Sequence, residues 1–525
     1  MKNSLQFIFI ILLNVGFGQN TTIEFQKEFE SFNKTINTEF DDFRKKNNEI
    51  FAESLKKQWE KFGVEKAKEL PKKPKPTKQP EVSKDEPIKN KVPEKSKQPI
   101  EKEPIINKVP EEIVIPKDEP IIDKDPSIEV KPDPIEPVIP IQKKKEDDEI
   151  DAENEEESQN KVIIEENKKT NFSKIEVGFY ETEITTLYDS NSLSKCEDIS
   201  EEGVSAYWRK MSESNYSVIV SDIKKNCLNL NLNDWGVYMY VKEVSEKLHS
   251  TNNSQVAFQF FILNQLDLDV KVARVNTKLT LLINFNSMVY GISYLTINSK
   301  KYFLMSKDNN SSIFTFQSKL SDANKPFDLN IKSPPKVSNT ISYKDLQIKN
   351  TGKSVRIAYS QPVTKFYSEM PLTDLPIFFN SGLSEATSIS LKEQLKPYIQ
   401  NKSEVEAVQF LLSLVQHSFE YKTDGDQFGK EKYFFTEDIL YYPYSDCEDR
   451  SIFFSHLVKL LLGLDVVGLN YPNHVATAVK FNSSISGDAV LIENIKYIIC
   501  DPTYVGSDVG MSMPQFKNVS PTVIR

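Results

Sequence analysis

A long stretch in the first third of this 525-residue chain cannot build a hydrophobic core. Between Val64 and Asn171 there is no Phe, Tyr, Trp, Cys or Gly, whereas 16 of the 28 prolines lie between Pro71 and Pro140. Such a segment buries too little apolar surface to offset the entropy lost on ordering, so it stays extended and solvated. The sequence therefore predicts a disordered Pro/Lys/Glu-rich linker with an acidic end over residues 70–170.

Two shorter segments precede the linker. Residues 1–18 have the pattern of a signal peptide, a positive start followed by an apolar run and small residues, so we expect cleavage near Gly18. The mature protein is then extracytoplasmic, either periplasmic or secreted. Residues 19–69 predict a long amphipathic helix, because apolar residues recur at steps of three and four between residues 21 and 62. Its apolar stripe needs cover from a partner chain, from a second copy as in a coiled coil, or from the globular part of the same chain.

The charge and hydropathy of the chain exclude several classes of function. Lys and Arg number 66 against 76 Asp and Glu, and the net charge of −10 argues against a nucleic acid as partner. No apolar run reaches the roughly 20 residues that an integral membrane span requires. The four histidines lie in different segments, with no pair at the spacing of metal ligands. We therefore expect no metal and no other cofactor.

From residue 171 onward the chain is rich in apolar and aromatic residues, arranged in short strands and several helices, which predicts an α+β fold. We divide this part into an α+β module over 171–338, bridging strands over 339–376 and a C-terminal catalytic domain over 377–525. It holds all four cysteines of the chain: Cys196, Cys227, Cys447 and Cys500.

Three side chains of the C-terminal domain have the chemistry of a thiol enzyme. Cys447 follows Asp446, a residue type that favours the N-cap of a helix, at the start of an apolar helical pattern. His474 begins the alternating segment HVATAVKF, which predicts a strand, and Asp501 ends another predicted strand. The His would take the thiol proton and return it to a leaving amine, while the Asp fixes the tautomer of the ring. Glu448 in the first helical turn opposes ionisation of the sulfur, so the thiolate would depend mainly on an imidazolium partner.

The order of these segments resembles the transglutaminase-like superfamily, whose cores carry a Cys at a helix start, then a His, then an Asp in a D-P-T turn. The resemblance extends over roughly Ser388–Gly510 and includes Gly463, which stands where the family has its helix-ending Gly. It implies a papain-like α+β fold, a protein or peptide substrate, and chemistry at amide bonds of peptides or glutamine side chains. The residues that it identifies as catalytic are Cys447, His474 and Asp501.

Two further residues are candidates for support of the reaction. Tyr421, in HSFEYKTD, matches an aromatic residue at the end of an upstream helix in that family, and Gln427 is an oxyanion-donor candidate by its amide chemistry alone. The backbone N–H of Cys447 is a natural first oxyanion donor. The family often has a Gly before its Cys and an aromatic residue after its His, where this chain has Asp446 and Val475. These departures leave the substrate class open.

The module before the catalytic domain repeats part of its pattern. Residues from Thr251 onward align with residues from Cys447 onward at a constant offset of 196, and KYFLMS aligns with KYIICD at an offset of 195. The alignment places Thr251, Lys278 and Ser306 at the three catalytic positions, which predicts a degenerate copy without catalysis. Two unrelated helix-then-strand units would also produce this similarity.

The chain as a whole predicts an exported thiol enzyme that acts on amide bonds as a peptidase or amidase. Hydrolysis is favoured over crosslinking, since nothing in the sequence specifies an acceptor amine. Two other interpretations stay open: a noncatalytic module that binds peptide or cell-wall material, and a scaffold in which the linker and N-terminal helix matter most. For the thiols, the alternatives are a bridge from Cys447 to Cys500 or Cys227, and a bridge between Cys196 and Cys227.

Overall fold

The computed structural model of the protein describes residues 42–70, 80–82, 172–306, 312–320 and 323–525. The predicted signal peptide, the first part of the predicted N-terminal helix and most of the predicted linker lie outside these residues. The described part combines helices and sheets, which confirms an α+β fold. Both predicted globular modules belong to one compact unit, which includes Ser173–Arg525.

The first half of the described fold consists of helices and antiparallel strands. In chain order these are α1 (42–55), β1 (Glu60–Phe62), β2 (Ser173–Phe179), β3 (Thr182–Tyr188), α2 (Glu201–Ser212), α3 (Ser217–Asn229), α4 (Asp234–Leu248), α5 (Asn252–Gln265), β4 (Val270–Val275), β5 (Lys278–Asn284), β6 (Tyr294–Ile297), β7 (Lys300–Leu304) and β8 (Ile313–Thr315). A six-stranded sheet has the order β1-β8-β4-β5-β7-β6. Helix α5 lies on β4 and β5, and the β2–β3 hairpin lies on α3 and α4.

The second half begins with a separate hairpin and ends in a second antiparallel sheet. Its elements are β9 (Ile341–Ile348), β10 (Lys353–Ser360), α6 (Gln361–Ser368), α7 (Leu375–Phe379), α8 (Glu385–Ile399), α9 (Glu404–Ser418), β11 (Glu420–Tyr421), α10 (Asp424–Gln427), α11 (Asp438–Tyr441), β12 (Tyr444–Ser445), α12 (Cys447–Leu462), β13 (Asp465–Tyr471), β14 (His474–Lys480), β15 (Ala489–Ile492), β16 (Ile495–Cys500) and β17 (Thr522–Ile524). The five-stranded sheet has the order β15-β16-β14-β13-β17, and α12 lies on its β13 and β14 strands.

The described part of the N-terminal helix packs on the globular part of its own chain, and the helix ends earlier than predicted. The prediction extended it over residues 19–69, whereas the described helix ends at Leu55 and the chain then continues as β1, which pairs with β8. The indole N–H of Trp59 donates to the backbone O of Leu55 (3.1 Å), so a side chain satisfies this carbonyl in place of another helical turn. Phe51 is buried, with its ring centroid 4.7 Å from that of Trp208, so the globular part covers this section of the apolar stripe.

The buried side of α1 should contribute strongly to stability. Phe51 and Phe43 lie on the same helix, but Phe51 is 3% exposed whereas Phe43 is 51% exposed. We expect Phe51→Ala to lower the free energy of unfolding by about 3–5 kcal/mol, because it removes a large buried side chain and leaves a cavity. Phe43→Ala is the matched control and should change it by less than about 0.5 kcal/mol. Urea unfolding followed by tryptophan fluorescence measures both; equal effects would contradict this packing.

Three described residues of the predicted linker pair with the C-terminal region. The backbone N–H of Val82 donates to the backbone O of Val505 (2.9 Å), and the N–H of Val505 donates to the O of Pro80 (3.0 Å), as in a parallel β-bridge. Residues 80–82 therefore pair with Val505 in an isolated β-bridge, although the sequence predicted disorder for them. Apolar burial is not needed for this contact, because an extended chain can pair through its backbone whatever its side chains.

The two sheets share their strand order. Five strands of the first sheet lie in the order β8-β4-β5-β7-β6, and the second sheet has the order β17-β13-β14-β16-β15. If β4 to β8 are matched in chain order with β13 to β17, the two spatial orders are the same. The register of the first hairpin is also shared. Val270 pairs with Ile283 in the first sheet and Val466 pairs with Val479 in the second, so both positions differ by the predicted offset of 196.

The register of the second hairpin is shared in the same way. Tyr294 pairs with Phe303 between β6 and β7, and Ala489 pairs with Ile498 between β15 and β16. Both positions differ by 195, the offset that the sequence predicted for this part of the alignment. The observed pairing therefore repeats between the two sheets residue by residue.

Candidate active site

Cys447 is the first residue of α12 and lies at the N-terminal end of a buried helix. Asp446 is the N-cap residue, as predicted, and its backbone N–H donates to Oδ2 of Asp449 (3.1 Å). Gly463 follows the helix in the left-handed conformation (φ 66°) that favours glycine. Cys447 is not part of a disulfide, and the residue is 3% exposed. Its backbone N–H belongs to the first turn, where amides lack acceptors within the helix.

His474 and Asp501 form a buried hydrogen-bonded pair on neighbouring strands. His474 is the first residue of β14, and Asp501 directly follows β16, which pairs with β14. Nε2 of His474 lies 2.8 Å from Oδ2 of Asp501, so in the neutral ring the Nε2–H donates to the carboxylate. The other nitrogen, Nδ1, then carries no proton and is available as a base. The structure thus brings together two of the three predicted catalytic residues.

Helix α12 brings its Cys447 end to the His474 end of β14. The hydroxyl of Ser451 donates to the backbone O of Val475 (2.9 Å). Ser451 is one helical turn after Cys447, and Val475 is the residue after His474, so the thiol and the imidazole belong to the same corner of the sheet. Cys447 and Val475 also belong to one cluster of buried apolar residues.

A glutamine of α9 holds the loop that carries the carboxylate. Oδ1 of Asp501 accepts hydrogen bonds from the backbone N–H groups of Thr503 (3.0 Å) and Tyr504 (3.2 Å). Nε2 of the buried Gln416 donates to the backbone O of Asp501 (3.2 Å) and of Tyr504 (2.9 Å), while its Oε1 accepts from the N–H of Gly506 (3.3 Å). Sequence reasoning missed Gln416, because its partners lie far away in the chain and no local pattern marks it.

Two aromatic rings pack beside the imidazole of His474. Phe516 stacks on it with 5.1 Å between ring centroids and 5° between ring planes, and Tyr471 lies at 6.5 Å and 23°. Burial, together with the charge of Asp501, raises the pKa of Tyr471, so this ring stays neutral. No sequence pattern marks Phe516, which lies in a short 3₁₀ turn (Pro514–Phe516) without hydrophobic periodicity. The stack fixes the plane of the imidazole and limits its contact with water.

Glu448 is the nearest carboxylate to the thiol. The Sγ–H of Cys447 donates to Oε2 of Glu448 (3.1 Å), and Glu448 is 0% exposed. A buried negative charge next to sulfur favours the neutral thiol over the thiolate. The sequence predicted that Glu448 opposes ionisation of the Cys447 thiol. In the structure, Glu448 contacts this thiol through a direct hydrogen bond.

Removing this charge should make Cys447 more reactive. We expect Glu448→Gln to raise the rate of Cys447 alkylation by iodoacetamide at pH 7 about tenfold, because an amide next to the sulfur disfavours the thiolate less than a carboxylate does. The exposed Glu420 provides the control variant Glu420→Gln, for which we expect an unchanged rate. Peptide mapping by mass spectrometry measures the rate at this residue. A slower reaction in Glu448→Gln would show that the carboxylate assists ionisation instead.

A buried arginine connects Tyr421 to the start of α12. Strand β11 pairs with β12 in parallel, with Tyr421 opposite Ser445. Nε of Arg450 donates to Oγ of Ser445 (3.1 Å), and its guanidinium lies 5.6 Å from the ring centroid of Tyr421. Burial lowers the pKa of Arg450 to about 10, although nearby acidic groups including Cys447 oppose this shift. Tyr421 thus supports the segment that leads into Cys447.

Gln427, the predicted second oxyanion donor, lies in the short helix α10. Its backbone N–H donates to the O of Thr423 (3.0 Å), and its side chain is half-buried. Within the described ranges, no hydrogen bond joins its amide to Cys447 or His474. Its role at an oxyanion therefore stays a prediction, and the first-turn N–H of Cys447 is the better-placed donor.

All four cysteines are buried and none is part of a disulfide, so the predicted disulfide alternatives are wrong for this structure. Burial raises the pKa of Cys196 to about 11 and that of Cys227 to about 12, and it also raises the pKa of Cys500. These three thiols stay protonated at neutral pH. A reagent that requires a thiolate therefore reports on Cys447 with little background.

Two groups of oxygen and sulfur ligand atoms lie around the start of α12. Asp446, Cys447 and Glu448 bring one ligand atom each to within 4.8 Å of one another, and so do Asp424, Glu431 and Glu448. Three carboxylates suit a hard cation such as Ca²⁺ or Mg²⁺. Glu448 belongs to both groups, however, and its Oε2 already accepts the thiol hydrogen bond. The expectation that the protein needs no metal stays a prediction.

No protein-family model, curated protein or solved structure matches this chain. The resemblance to the transglutaminase-like superfamily therefore rests on the sequence pattern quoted above. None of the helices in the part of the chain that the structure covers combines the length and the hydropathy needed to cross a bilayer.

Proposed function

We propose that the C-terminal domain is a thiol enzyme of the transglutaminase-like type, which cleaves or transfers acyl groups at amide bonds of peptides or proteins outside the cytoplasm. One observation carries the proposal. The buried hydrogen bond of 2.8 Å between His474 and Asp501 leaves Nδ1 as a base, at the corner where α12 begins with Cys447, which is not part of a disulfide. A papain-like arrangement of helix and sheet belongs to the same proposal.

The proposed reaction begins with transfer of the Cys447 thiol proton to Nδ1 of His474. The sulfur attacks the carbonyl carbon of the amide, a C–S bond forms, and the π electrons move to oxygen, where the N–H of Cys447 stabilises the charge. The C–N bond then breaks, and His474 gives its proton to the leaving amine. Asp501 keeps its hydrogen bond to Nε2 and stabilises the imidazolium.

Water completes the proposed cycle. His474 accepts a proton from a water molecule as its oxygen bonds to the acyl carbon, the C–S bond breaks, and the proton returns to the sulfur of Cys447. Hydrolysis is preferred over crosslinking, because no feature of the described residues specifies an acceptor amine. An amine that replaces water would give acyl transfer through the same intermediate.

Detection of the acyl-enzyme tests the proposal. A panel of peptide p-nitroanilides is mixed with the protein, quenched in acid, digested and examined by mass spectrometry. We expect at least one peptide to add the mass of its acyl part to the fragment that contains Cys447, and the adduct to decay in water. Release of p-nitroaniline without such an adduct, or in the same amount from Cys447→Ser, would refute this chemistry.

A noncatalytic binding role is the second candidate, and the surroundings of the thiol favour it. Cys447 is only 3% exposed, and its thiol donates to the carboxylate of Glu448. In such a role, the Cys447 thiol would only pack against its neighbours in a site that binds peptide. In that case Cys447→Ala keeps peptide affinity, and no peptide is turned over by either protein.

We further infer that the first sheet and α5 are a degenerate copy of the second sheet and α12. The shared strand order and the two register offsets support this inference. Thr251, Lys278 and Ser306 then stand in place of the three catalytic residues. Two unrelated units would have no reason to share the register of two successive hairpins.

A further inference from the structure

The first sheet carries a cavity at the position that corresponds to the candidate active site of the second. The cavity has a volume of about 570 Å³ and is lined by Asn252 at the start of α5, by the β4–β5 turn with Lys278, and by Ser306. Lys278 is the first residue of β5, as His474 is the first residue of β14. Ser306 lies just beyond β7, as Asp501 lies just beyond β16. The cavity of the first sheet therefore lies at the same position in the strand order as the candidate active site of the second sheet, but different side chains line it.

The cavity has one excess positive charge. Lys278 is exposed, and its ammonium group makes no hydrogen bond or ion pair within the described ranges. Lys242 also lines the cavity, but it lies 3.7 Å from the carboxylate of Glu246 and is largely neutralised. The apolar part of the lining is formed by Val256, Leu279, Leu281 and Met305. A ligand with one carboxylate and an apolar body matches this lining.

Two glutamines of α5 add oriented hydrogen-bond acceptors. Nε2 of Gln255 donates to the backbone O of His249 (2.8 Å), and Nε2 of Gln259 donates to Oγ of Ser245 (2.8 Å). These bonds use one N–H of each amide, and both residues line the cavity, so their Oε1 atoms are candidate acceptors for a ligand there. The N–H groups of a peptide backbone are donors for such acceptors.

We propose that this cavity binds, without cleaving, a short extended peptide segment that carries a carboxylate. Its volume lies within the range of about 300–1,000 Å³ that is common for ligand sites. Lys278 pairs with the carboxylate, and Gln255 and Gln259 accept hydrogen bonds from the peptide backbone. Thr251 stands where the second sheet has Cys447, but its hydroxyl is engaged in the cap of α5, and no residue that lines the cavity supplies an imidazole to activate a hydroxyl. The inference does not depend on chemistry at Cys447.

Fluorescence anisotropy with a labelled tetrapeptide tests the proposal. The probe is fluorescein-Ala-Ala-Ala-Glu with a free C-terminus, and the protein is the full mature chain with Cys447→Ala, so that the probe stays intact. We expect saturable binding that Lys278→Met weakens at least about tenfold, because a charge-assisted hydrogen bond is lost. Lys278→Arg should keep the affinity within about threefold. The exposed Lys224, which does not line the cavity, provides the matched control Lys224→Met with unchanged affinity.

Two further arms identify the carboxylate and the site. The probes fluorescein-Ala-Ala-Ala-Ala with a free C-terminus and fluorescein-Ala-Ala-Ala-Glu-amide separate a terminal from a side-chain carboxylate, and at least one should bind. Ser306→Trp should block binding by filling the cavity, whereas His474→Ala should leave it unchanged. No saturable binding, equal affinity of Lys278→Met, or loss of binding in His474→Ala would overturn the proposal, and the last result would place the peptide at the second sheet.

Discussion

Cys447→Ala should lower kcat/KM for any peptide amide that the protein hydrolyses by at least about 10⁴-fold. The reason is that removal of the nucleophile leaves only binding and oxyanion contacts, which retain a small part of the rate enhancement of thiol and serine enzymes. The change is small in volume, and it removes the side-chain hydrogen bond from Cys447 to Glu448. Circular dichroism should therefore show an unchanged fold, and a chromogenic peptide assay measures the loss of activity.

The matched control is Cys227→Ala. Cys227 is also a buried free thiol, but it lies on α3, far along the chain from the candidate triad. The kcat/KM of Cys227→Ala should stay within about threefold of the wild-type value, because this change removes packing contacts but no reacting group. Activity that survives in Cys447→Ala would assign the hydrolysis to another group.

Asp501→Asn should reduce kcat by about 10³–10⁴-fold while the protein keeps its fold. The carboxylate accepts from Nε2–H of His474 and from the N–H groups of Thr503 and Tyr504. In the variant, the amide O can keep the two backbone bonds, so its NH₂ must face Nε2. The neutral imidazole then carries its proton on Nδ1 instead of Nε2. A protonated Nδ1 can no longer accept the thiol proton of Cys447. Steady-state kinetics should show the loss in kcat, with KM nearly unchanged.

Asp508→Asn is the control for Asp501→Asn. Asp508 is an exposed acidic residue in the same loop, and we expect its variant to retain wild-type kcat. Thermal unfolding of both variants shows whether the loop is intact. A kcat of Asp501→Asn within tenfold of the wild type would mean that the tautomer of His474 does not control the reaction.

The parts of the site that depend on local chain signals were accessible from the sequence. An acidic N-cap before Cys447 and a glycine after α12 mark both ends of the helix, and the structure has both. Alternating residues after His474 indicate a strand, which the structure shows as β14. These features arise from interactions between residues close in sequence, so residue type and spacing are enough to predict them.

Features that depend on tertiary contacts were not accessible in this way. Phe516 stacks on His474, and Gln416 holds the Asp501 loop, although nothing in their neighbouring sequence distinguishes them. The apolar periodicity that predicts the N-terminal helix continues through Trp59, but the next residues, Glu60–Phe62, pair with β8, so the helix ends earlier. Periodicity reports which side is buried, while strand partners far along the chain decide the backbone conformation.

The rate of Cys447 alkylation by iodoacetamide at pH 7, compared between the wild type and His474→Ala, tests most directly whether the thiol and the imidazole act as a pair. The reaction is followed by peptide mapping, and the raised pKa values of Cys196, Cys227 and Cys500 keep their contribution low. We expect the wild-type rate to exceed the rate of His474→Ala at least about tenfold, since an imidazolium neighbour favours the thiolate. Equal rates in the two proteins, or labelling of Cys447 only after denaturation, would contradict a catalytic pair.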